Sequence, residues 1–542
     1  MSASDTLNYT LLSSPQPAAN VPTLEEIIRP FATAGRGISF LNRNTRAEFS
    51  YRDLAERSAS AAARLRGHGV TAGSLVATTV TNDLPSALAV LGCWASGAAV
   101  VSLPPVPRHD RGWYGRQFRA VLDTMGCAFV IGDENHALDV PCSAPMRWIP
   151  KPALAEPEPT RTALPDAAIP ATALVQFTSG SVDTPKGVAI SGRALAQHAA
   201  TIIALGNYES GVDKIASWLP LYHDMGLIAM FLTGLAGRID QVISQPGSFA
   251  VRPASWLRML ADEQATMTAA PNFAYRLAAG ASYNEPLDLS RMRVSICGGE
   301  RVDWQTLLDF HATAAPMGFD WGALLPCYGL AEATVAVTYT PAGRGPLRGP
   351  AGYVSSGWPM PGTEIRVPTG SLPRPIQIRG ASLSSGYYTK TGFEPVEAGG
   401  WYDTGDSGFV HDGELYVLGR RNEVLSIGGR NVFAEDVEAV AQEAGGDLIP
   451  ACAAFRNLNA AGRFGLLTEA NPRLVRNFDA ACDLARRIQA SVNETLGTRL
   501  APVLVARLGT IPRTTSGKVQ RSLCRSLYRS GEITRRLIAE VA

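Results

Sequence analysis

The feature that most constrains this 542-residue chain is the alternation of helix-period and strand-like runs in its N-terminal part. Tyr51 to Leu65 carries apolar residues at helical spacing and stops at Gly67, and Leu75 to Val80 reads as a strand. Leu84 to Gly97 is helical, and Ala98 to Leu103 is an apolar strand ended by Pro104-Pro105. Gln117 to Met125 and Ala128 to Ile131 repeat the pair. Strands separated by helices cannot be joined by tight hairpins, so this order predicts βα units and a largely parallel sheet. The pattern changes at Glu364 to Val410, where short strand-like runs alternate with turn residues as in a small β module. Beyond Arg420-Arg421-Asn422 a further alternation begins: Val424-Ile427, Glu435-Glu443, Ala451-Phe455, Phe478-Val492, Val503-Val505 and a basic terminal helix. A boundary at those three residues divides the chain into 1–420 and 421–542. The fold class expected is α/β: a large domain of mixed βα sheets with a β module, followed by a small α+β domain. Residues 1–22 read as a loosely held lead-in, and 150–171 as a surface connection.

Charge and cysteine usage narrow the function classes. Hydrophobic residues are 46% and charged residues 18%, a globular composition. The formal net charge of +1 gives no electrostatic case for nucleic acid or an anionic membrane as partner. The eight cysteines are scattered with no Cys-x-x-Cys pair, which points to buried thiols in a reducing compartment rather than to zinc or redox chemistry. Met1 to Asn20 lacks a basic start and an apolar core, so it is not read as a secretory signal. Leu84 to Val101 is interrupted by glycines and polar residues, so no run reaches the roughly 18 apolar residues of a membrane span. A cytoplasmic protein is expected.

Against that background, Thr178-Ser179-Gly180-Ser181-Val182-Asp183-Thr184-Pro185-Lys186-Gly187 stands out. The apolar run Ala173 to Phe177 leads into it and a capped helix from Ser191 follows, so the loop is expected where a strand meets a helix. Glycines allow close backbone approach, and hydroxyls, free N–H groups and one lysine suit a polyphosphate. Read alone, the loop fits a solvated turn equally well, and it does not spell Gly-x-x-x-x-Gly-Lys-Ser/Thr. Tyr222-His223-Asp224 alone fits a core aromatic with a satisfied histidine. Gly298-Gly299-Glu300 and Asp403-Thr404-Gly405-Asp406 alone fit turns, and Lys518 alone fits a solvated lysine in a basic tail. Their order decides the reading. A phosphate-type loop, Tyr328-Gly329-Leu330-Ala331-Glu332, Thr404-Gly405-Asp406, Gly419-Arg420 and Thr515-Ser516-Gly517-Lys518 follow one another along the chain.

In that series the sequence resembles the adenylate-forming superfamily of acyl-CoA synthetases, adenylation domains and luciferases, and within it the fatty acyl-AMP ligases. The narrower resemblance rests on Trp218 to Ile228 (WLPLYHDMGLI), on Tyr328 to Thr334, and on Leu91-Gly92-Cys93 followed by Val100 to Pro105. It covers roughly residues 24 to 526. The resemblance implies an enzyme in which a carboxylic acid attacks the α-phosphate of ATP, giving acyl-adenylate and pyrophosphate. Thr178, Ser179, Gly180, Ser181, Thr184 and Lys186 would hold the β- and γ-phosphates. Glu332 would ligate Mg²⁺. Tyr328, with Gly329 and Ala331 in the same motif, would lie against adenine, and Gly298, Gly299 and Glu300 would line the other side. Asp406 and Arg420 would hold the ribose hydroxyls. Lys518 would be the mobile catalytic lysine, stabilising charge at the reacting centre. His223 would position or gate the acyl group, and Asn422 would be the hinge about which the small domain swings. Gly428-Gly429-Arg430-Asn431 would reach the site in the second pose. The implied partners are a fatty or related acid and the phosphopantetheine thiol of an acyl carrier protein acting in trans, or coenzyme A. The acyl tunnel is expected along Met230-Phe231, Asn272-Phe273 and Tyr275.

The match has departures. Ala331 stands where members outside the fatty acyl-AMP ligases often carry Thr, which favours the narrower resemblance. Against it, only 18 residues, Tyr339 to Ser356, lie between Thr338 and Gly357, short for the insertion those ligases carry. The usual Gly-Glu-x-Gly-Glu turn before Ile376 is missing as well. The acceptor thiol thus stays open between carrier protein and coenzyme A. A degenerate member that only binds ATP or acyl-adenylate is a further reading, opposed by the retained Glu332, Asp406 and Lys518.

Overall fold

The computed structural model describes residues 8–15, 21–29, 36–42, 45–106, 111–133, 146–156, 171–177, 186–370, 374–397, 399–427, 430–457, 463–472, 474, 477–513 and 517–542. Two large sheets form its framework. Among the described residues, one runs Gly392–Pro395, Gly386–Thr389, Gly187–Ile190, Leu174–Phe177, Ala99–Leu103, Leu75–Thr79, Phe129–Gly132, Arg147–Pro150. Its strands are parallel from Leu174–Phe177 to Arg147–Pro150, as the alternation predicts. The second runs Leu324–Pro326, Val294–Cys297, Met267–Ala270, Lys214–Ser217, Asp240–Ser244, Gly37–Asn42, Thr45–Ser50, and is parallel apart from its last hairpin.

Between these sheets lie helices whose ends are written in the sequence. Tyr51–Gly67 starts at a capping box in which Ser50 and Asp53 satisfy each other's backbone N–H groups. Leu84–Ala95 has Asp83 as its N-cap, and every residue from Ser86 to Ala95 is buried. A helix apolar on all sides belongs in an interior. A Cβ at its Gly92 would lie 3.0 Å from Ala61 Cβ, so glycine sets how closely the two helices approach. The small β module is antiparallel: Tyr9–Ser13, Thr363–Pro368, Pro375–Gly380, Tyr402–His411, Glu414–Arg420. The C-terminal part has its own sheet, Ala451–Asn457, Arg463–Glu469, Leu500–Ala506, Leu537–Val541, with Ala434–Gly445 and Phe478–Leu496 on it and a core drawn entirely from residues 425–541.

Several sequence expectations are corrected. The Thr178–Gly187 loop does not join a strand to a helix: it links antiparallel strands Leu174–Phe177 and Gly187–Ile190, and the helix Gly192–Gly206 begins after the second, capped by Ser191. That second strand is four residues long beside a glycine, too short to show a period. Tyr9–Ser13, expected in a loose lead-in, pairs with Thr363–Pro368 and buries Leu12. Lys151, expected on the surface, is 2% exposed, and its ammonium donates to Thr81 Oγ1 at 2.8 Å beside Asp133 at 3.6 Å. Leu537–Val541 adds a strand after the basic helix Arg521–Ser530. No described helix is long and apolar enough to cross a membrane.

Candidate active site

The C-terminal ends of the parallel strands Met267–Ala270, Val294–Cys297 and Leu324–Pro326 open onto one cavity of about 1470 Å³. This is where open α/β sheets bind ligands, because the connecting loops splay apart there. His223, Asp224, Gly299, Glu300, Tyr328, Gly329, Ala331, Glu332, Asp406, Arg420, Asn422 and Lys518 all line it. Gly298 does not line it and serves packing instead: a Cβ there would lie 2.6 Å from Cys327 Sγ. Lys186 is exposed and sits 5.8 Å over the Tyr387 ring. Thr178, Ser179, Gly180, Ser181 and Thr184 lie outside the described residues, as do Gly428 and Gly429.

Asp406 and Arg420 meet because Tyr402–His411 and Glu414–Arg420 pair with those two residues in register. Arg420 Nε lies 3.0 Å from Asp406 Oδ1, and the Tyr328 hydroxyl donates to Oδ2 at 2.6 Å. Burial pushes the Asp406 carboxyl up, with Arg420 and Tyr328 opposing it. An ionised carboxylate has about four acceptor positions, so two stay open toward the cavity.

The Tyr328–Thr334 motif folds back on itself. Thr334 adopts φ 69°, ψ −61°, and Val335 N–H donates to Ala333 O at 2.8 Å, a γ-turn that is rare for a β-branched residue. Its hydroxyl donates to Ser382 O at 2.7 Å. This turn brings the Val335 carbonyl onto Gly329, where a side chain has no room. It also presents Glu332 to the cavity. Burial pushes the Glu332 carboxyl up. The Tyr387 hydroxyl lies 3.4 Å from its Oε1 and 2.6 Å from the Tyr402 hydroxyl.

The Trp218–Ile228 segment is stapled from elsewhere. Asn82, buried, donates to Leu219 O at 2.9 Å and Ser244 O at 2.7 Å and accepts from Leu221 N–H at 2.9 Å. His223 Nδ1 lies 2.5 Å from Asp224 Oδ1. Burial pushes the Asp224 carboxyl up, but His223 and the charge of Lys518 outweigh it, and the group lies below the usual range. Met225–Leu232 then winds as a π-helix, with Thr233 Oγ1 donating to Ile228 O at 3.0 Å. It turns Ala229 to the cavity and leaves Met230 and Phe231 in the core, so the expected tunnel wall is corrected there. Tyr275 is also displaced: it donates to Ile296 O at 2.8 Å and bonds Ser295 Oγ at 2.8 Å, and Ser295 points away from the face that carries Val294 and Ile296. Asn272 and Phe273 do line the cavity.

Lys518 enters from the C-terminal part. Gly517, at φ 89°, packs on Phe273, and Arg513 donates to Gly517 O at 2.9 Å. The Lys518 ammonium approaches Gly299, 3.7 Å from where a Cβ would stand, and its charge acts on Asp224, Glu300 and Asp406. Glu300 accepts from Phe273 N–H at 2.5 Å, and burial pushes its carboxyl up. Arg301 donates to Asp436 Oδ1 at 2.6 Å, tying the two parts of the chain together beside the cavity. Asn422 lies in the turn Arg421–Glu423, flanked by a two-pronged Arg421–Asp403 contact at 2.6 Å and by Arg521–Glu423 at 2.8 Å. Asn82, Tyr387, Tyr402 and Arg301 carry no sequence signal: single polar residues beside apolar runs become site residues only through contacts across the fold.

Comparison with known proteins agrees with this architecture. Residues 32–388 match the AMP-binding enzyme family. The chain is 30% identical over 449 residues to the long-chain-fatty-acid–AMP ligase FadD23 of Mycobacterium tuberculosis (72% of this chain, 76% of that one). It is 33% identical over 414 residues to the putative fatty-acid–CoA ligase fadD25 of the same species (67% and 70%). A structure from a study of fatty acyl-adenylate ligases of E. coli and L. pneumophila superposes with a TM-score of 0.84 at 26% identity, over 96% of this chain and 100% of that one. With the strand-end cavity and the ordered motifs around it, these likenesses establish that the chain belongs to the AMP-binding, adenylate-forming enzymes and is fatty acyl-AMP ligase-like.

Proposed function

We propose that this protein activates a fatty or related carboxylic acid with ATP and passes the acyl group to the phosphopantetheine thiol of a carrier protein. In the first step a carboxylate oxygen forms a bond to the α-phosphorus, the bond to the β-phosphate bridging oxygen breaks, and pyrophosphate leaves. In the second the thiol attacks the acyl carbon, loses its proton, and AMP leaves. The observation that carries this reading is the Lys518 ammonium beside Gly299, within electrostatic reach of Glu300, Asp406 and Asp224 in a cavity that also holds Glu332. A cation placed there offsets the negative charge that builds between carboxylate and phosphate, an effect of about 10²–10³ in rate.

The other residues divide the substrate between them. Asp406 uses its two open acceptor positions for ribose hydroxyls while Tyr328 and Arg420 hold it still. Tyr328, Gly329 and Ala331 wall the adenine side opposite Gly299 and Glu300. Lys186 and the segment Thr178–Thr184 hold the departing phosphates, and His223, oriented by Asp224, positions the acyl carboxylate. Glu332 is the residue that would hold Mg²⁺. A single hard carboxylate contacted by tyrosine hydroxyls fits an ion that takes one or two carboxylates and completes its shell with phosphate oxygens. When bound, the ion supplies positive charge against the phosphate oxygens. We further propose that 1–420 and 421–542 act as separate domains hinged at Asn422, so that Lys518 withdraws before the thiol arrives. The free, mostly buried cysteines suit a cytoplasmic setting.

Lys518→Ala tests the first step. Acid-dependent pyrophosphate release should fall by about 10²–10³ while ATP binding persists. Near-normal release would sink the role given to Lys518, and release by no acid at all in the wild type would favour a binding protein. A second reading, transfer to free coenzyme A, is favoured by the compact 339–356 segment, which closes on itself through an Arg348–Val354 bridge and folds back on the β module through an Arg344–Glu414 ion pair and a Ser355–Tyr416 bridge. Incubation with holo carrier protein or with coenzyme A, scored by mass of the acyl product, separates the two.

A further inference from the structure

The cavity extends beyond the reacting end, and the residues that line it there have a specific arrangement. Val294 and Ile296 project into it from one face of their strand. The C-terminal end of that strand leads to Gly299 and Lys518, and its N-terminal end begins beside Arg293. From the helix Gly192–Gly206, Ile202, Leu205 and Gly206 of the last turn reach the same cavity. The apolar channel therefore runs along the strand, away from the reacting end and toward the helix C-terminus.

Tyr208 stands at that terminus and lines the cavity. Asn207, at φ 46°, turns the chain so that the Tyr208 ring folds back over Gly206, where a Cβ would collide with it. The Arg293 guanidinium lies over the ring, 5.5 Å from its centroid. Arg293 is itself held by four acceptors: Asp213 Oδ1 at 2.9 Å and Oδ2 at 2.6 Å, Gly206 O at 2.8 Å and Asn207 O at 2.9 Å. Asp213 is fixed by Glu209 N–H at 2.8 Å, and its side chain is 1% exposed. The ring is thus held against the Gly206 backbone and a guanidinium that four acceptors fix in place.

We propose that Tyr208, held against Gly206 and the Arg293–Asp213 pair, is the stop that limits acyl chain length. This rests on the fatty-acid reading above. Five residue steps separate Val294 from Gly299, at most about 16 Å, since the strand itself ends at Cys297. An extended single-bonded chain advances about 1.2 Å per bond, so the channel takes acids of up to about a dozen carbons.

The test is a panel of saturated acids from octanoate to octadecanoate, scored by pyrophosphate release and by mass of the acyl-adenylate. Wild type should lose activity beyond about the length that fills the channel. Tyr208→Ala should raise the octadecanoate-to-dodecanoate ratio of kcat/KM by at least about tenfold, the discrimination a pocket exerts over an ill-fitting methylene. Tyr208→Leu, which keeps an apolar plug, should move the ratio the same way by less, and carries the test if the alanine variant does not fold. An unchanged ratio in both variants, or wild type using octadecanoate as well as dodecanoate, overturns the stop while leaving the fatty-acid reading intact. Absence of turnover with every acid overturns that reading and the stop with it.

Discussion

Gly329→Ala is the substitution whose consequence follows most directly from the backbone. A Cβ at Gly329 would fall inside the van der Waals shell of Val335 O and lie 2.9 Å from Ala336 Cα, below the 3.0 Å that real Cβ contacts respect. Both neighbours are backbone, so no side chain can swing aside. The γ-turn at Thr334 holds Val335 O in place, and the Tyr328 carbonyl accepts from Val337 N–H at 2.8 Å and Thr338 N–H at 3.1 Å on the far side. Relief thus requires the Ala331–Ala333 turn to move, and Glu332 moves with it. Overpacking of this kind costs about 1–3 kcal/mol of stability, and a shift of about 1 Å in a positioned group costs about 10²-fold in rate. The assay is pyrophosphate release at saturating ATP together with urea unfolding. Gly67→Ala is the control, because nothing lies within 4 Å of its Cβ position. If Gly329→Ala keeps both the rate and the unfolding midpoint of wild type, the closed turn does not position Glu332 as described.

The remaining predictions concern charge. Asp406→Asn leaves Arg420 facing a neutral group and should raise the KM for ATP, measured by initial rates across ATP concentration; an unchanged KM would remove Asp406 from the ribose site. Ionised Asp406 is the stronger acceptor for the ribose hydroxyls, and burial holds its carboxyl above the ordinary range, so kcat/KM for ATP falls as pH drops through that raised value. Arg420 opposes the rise, so Arg420→Gln should move this acid limb to higher pH. His198 is buried, accepts from Ala336 N–H at 3.1 Å, and is lowered by burial from 6.5 to about 4. Below pH 6.5 the unfolded state takes up a proton that the native state refuses, so stability is lost as pH falls toward 4. The loss is about 2 kcal/mol between pH 7 and pH 5. His198→Gln should abolish that part of the slope in urea unfolding at the two pH values. The Lys518→Ala and Tyr208→Ala outcomes complete the set.

Much of the fold was legible because its signals are local. Helical spacing in Tyr51–Gly67 and apolar runs at Leu75–Thr79 and Ala99–Leu103 report burial directly. Four-residue strands such as Gly187–Ile190 are shorter than any period can reveal, and the π-helix Met225–Leu232 follows neither periodicity. That is why the loop after Phe177 and the wall at Met230 and Phe231 needed correction, whereas Tyr275 is turned aside by its bonds to Ser295 and Ile296 across the fold.

The ordered motifs singled out, without any structure, residues that the fold brings to one cavity: Tyr328, Glu332, Asp406, Arg420 and Lys518 carry their types and their order along the chain. Only the tertiary structure decided how they meet. Asp406 faces Arg420 through strand register, Glu332 reaches the cavity through a γ-turn, and Lys518 arrives by docking of the C-terminal part on Phe273 and Arg301. Asn82, Tyr208 and Arg293 take their places in the same way. The physical reason is range: period and capping act over a few residues, whereas contacts between distant segments depend on sheet register and closure, which no local pattern contains.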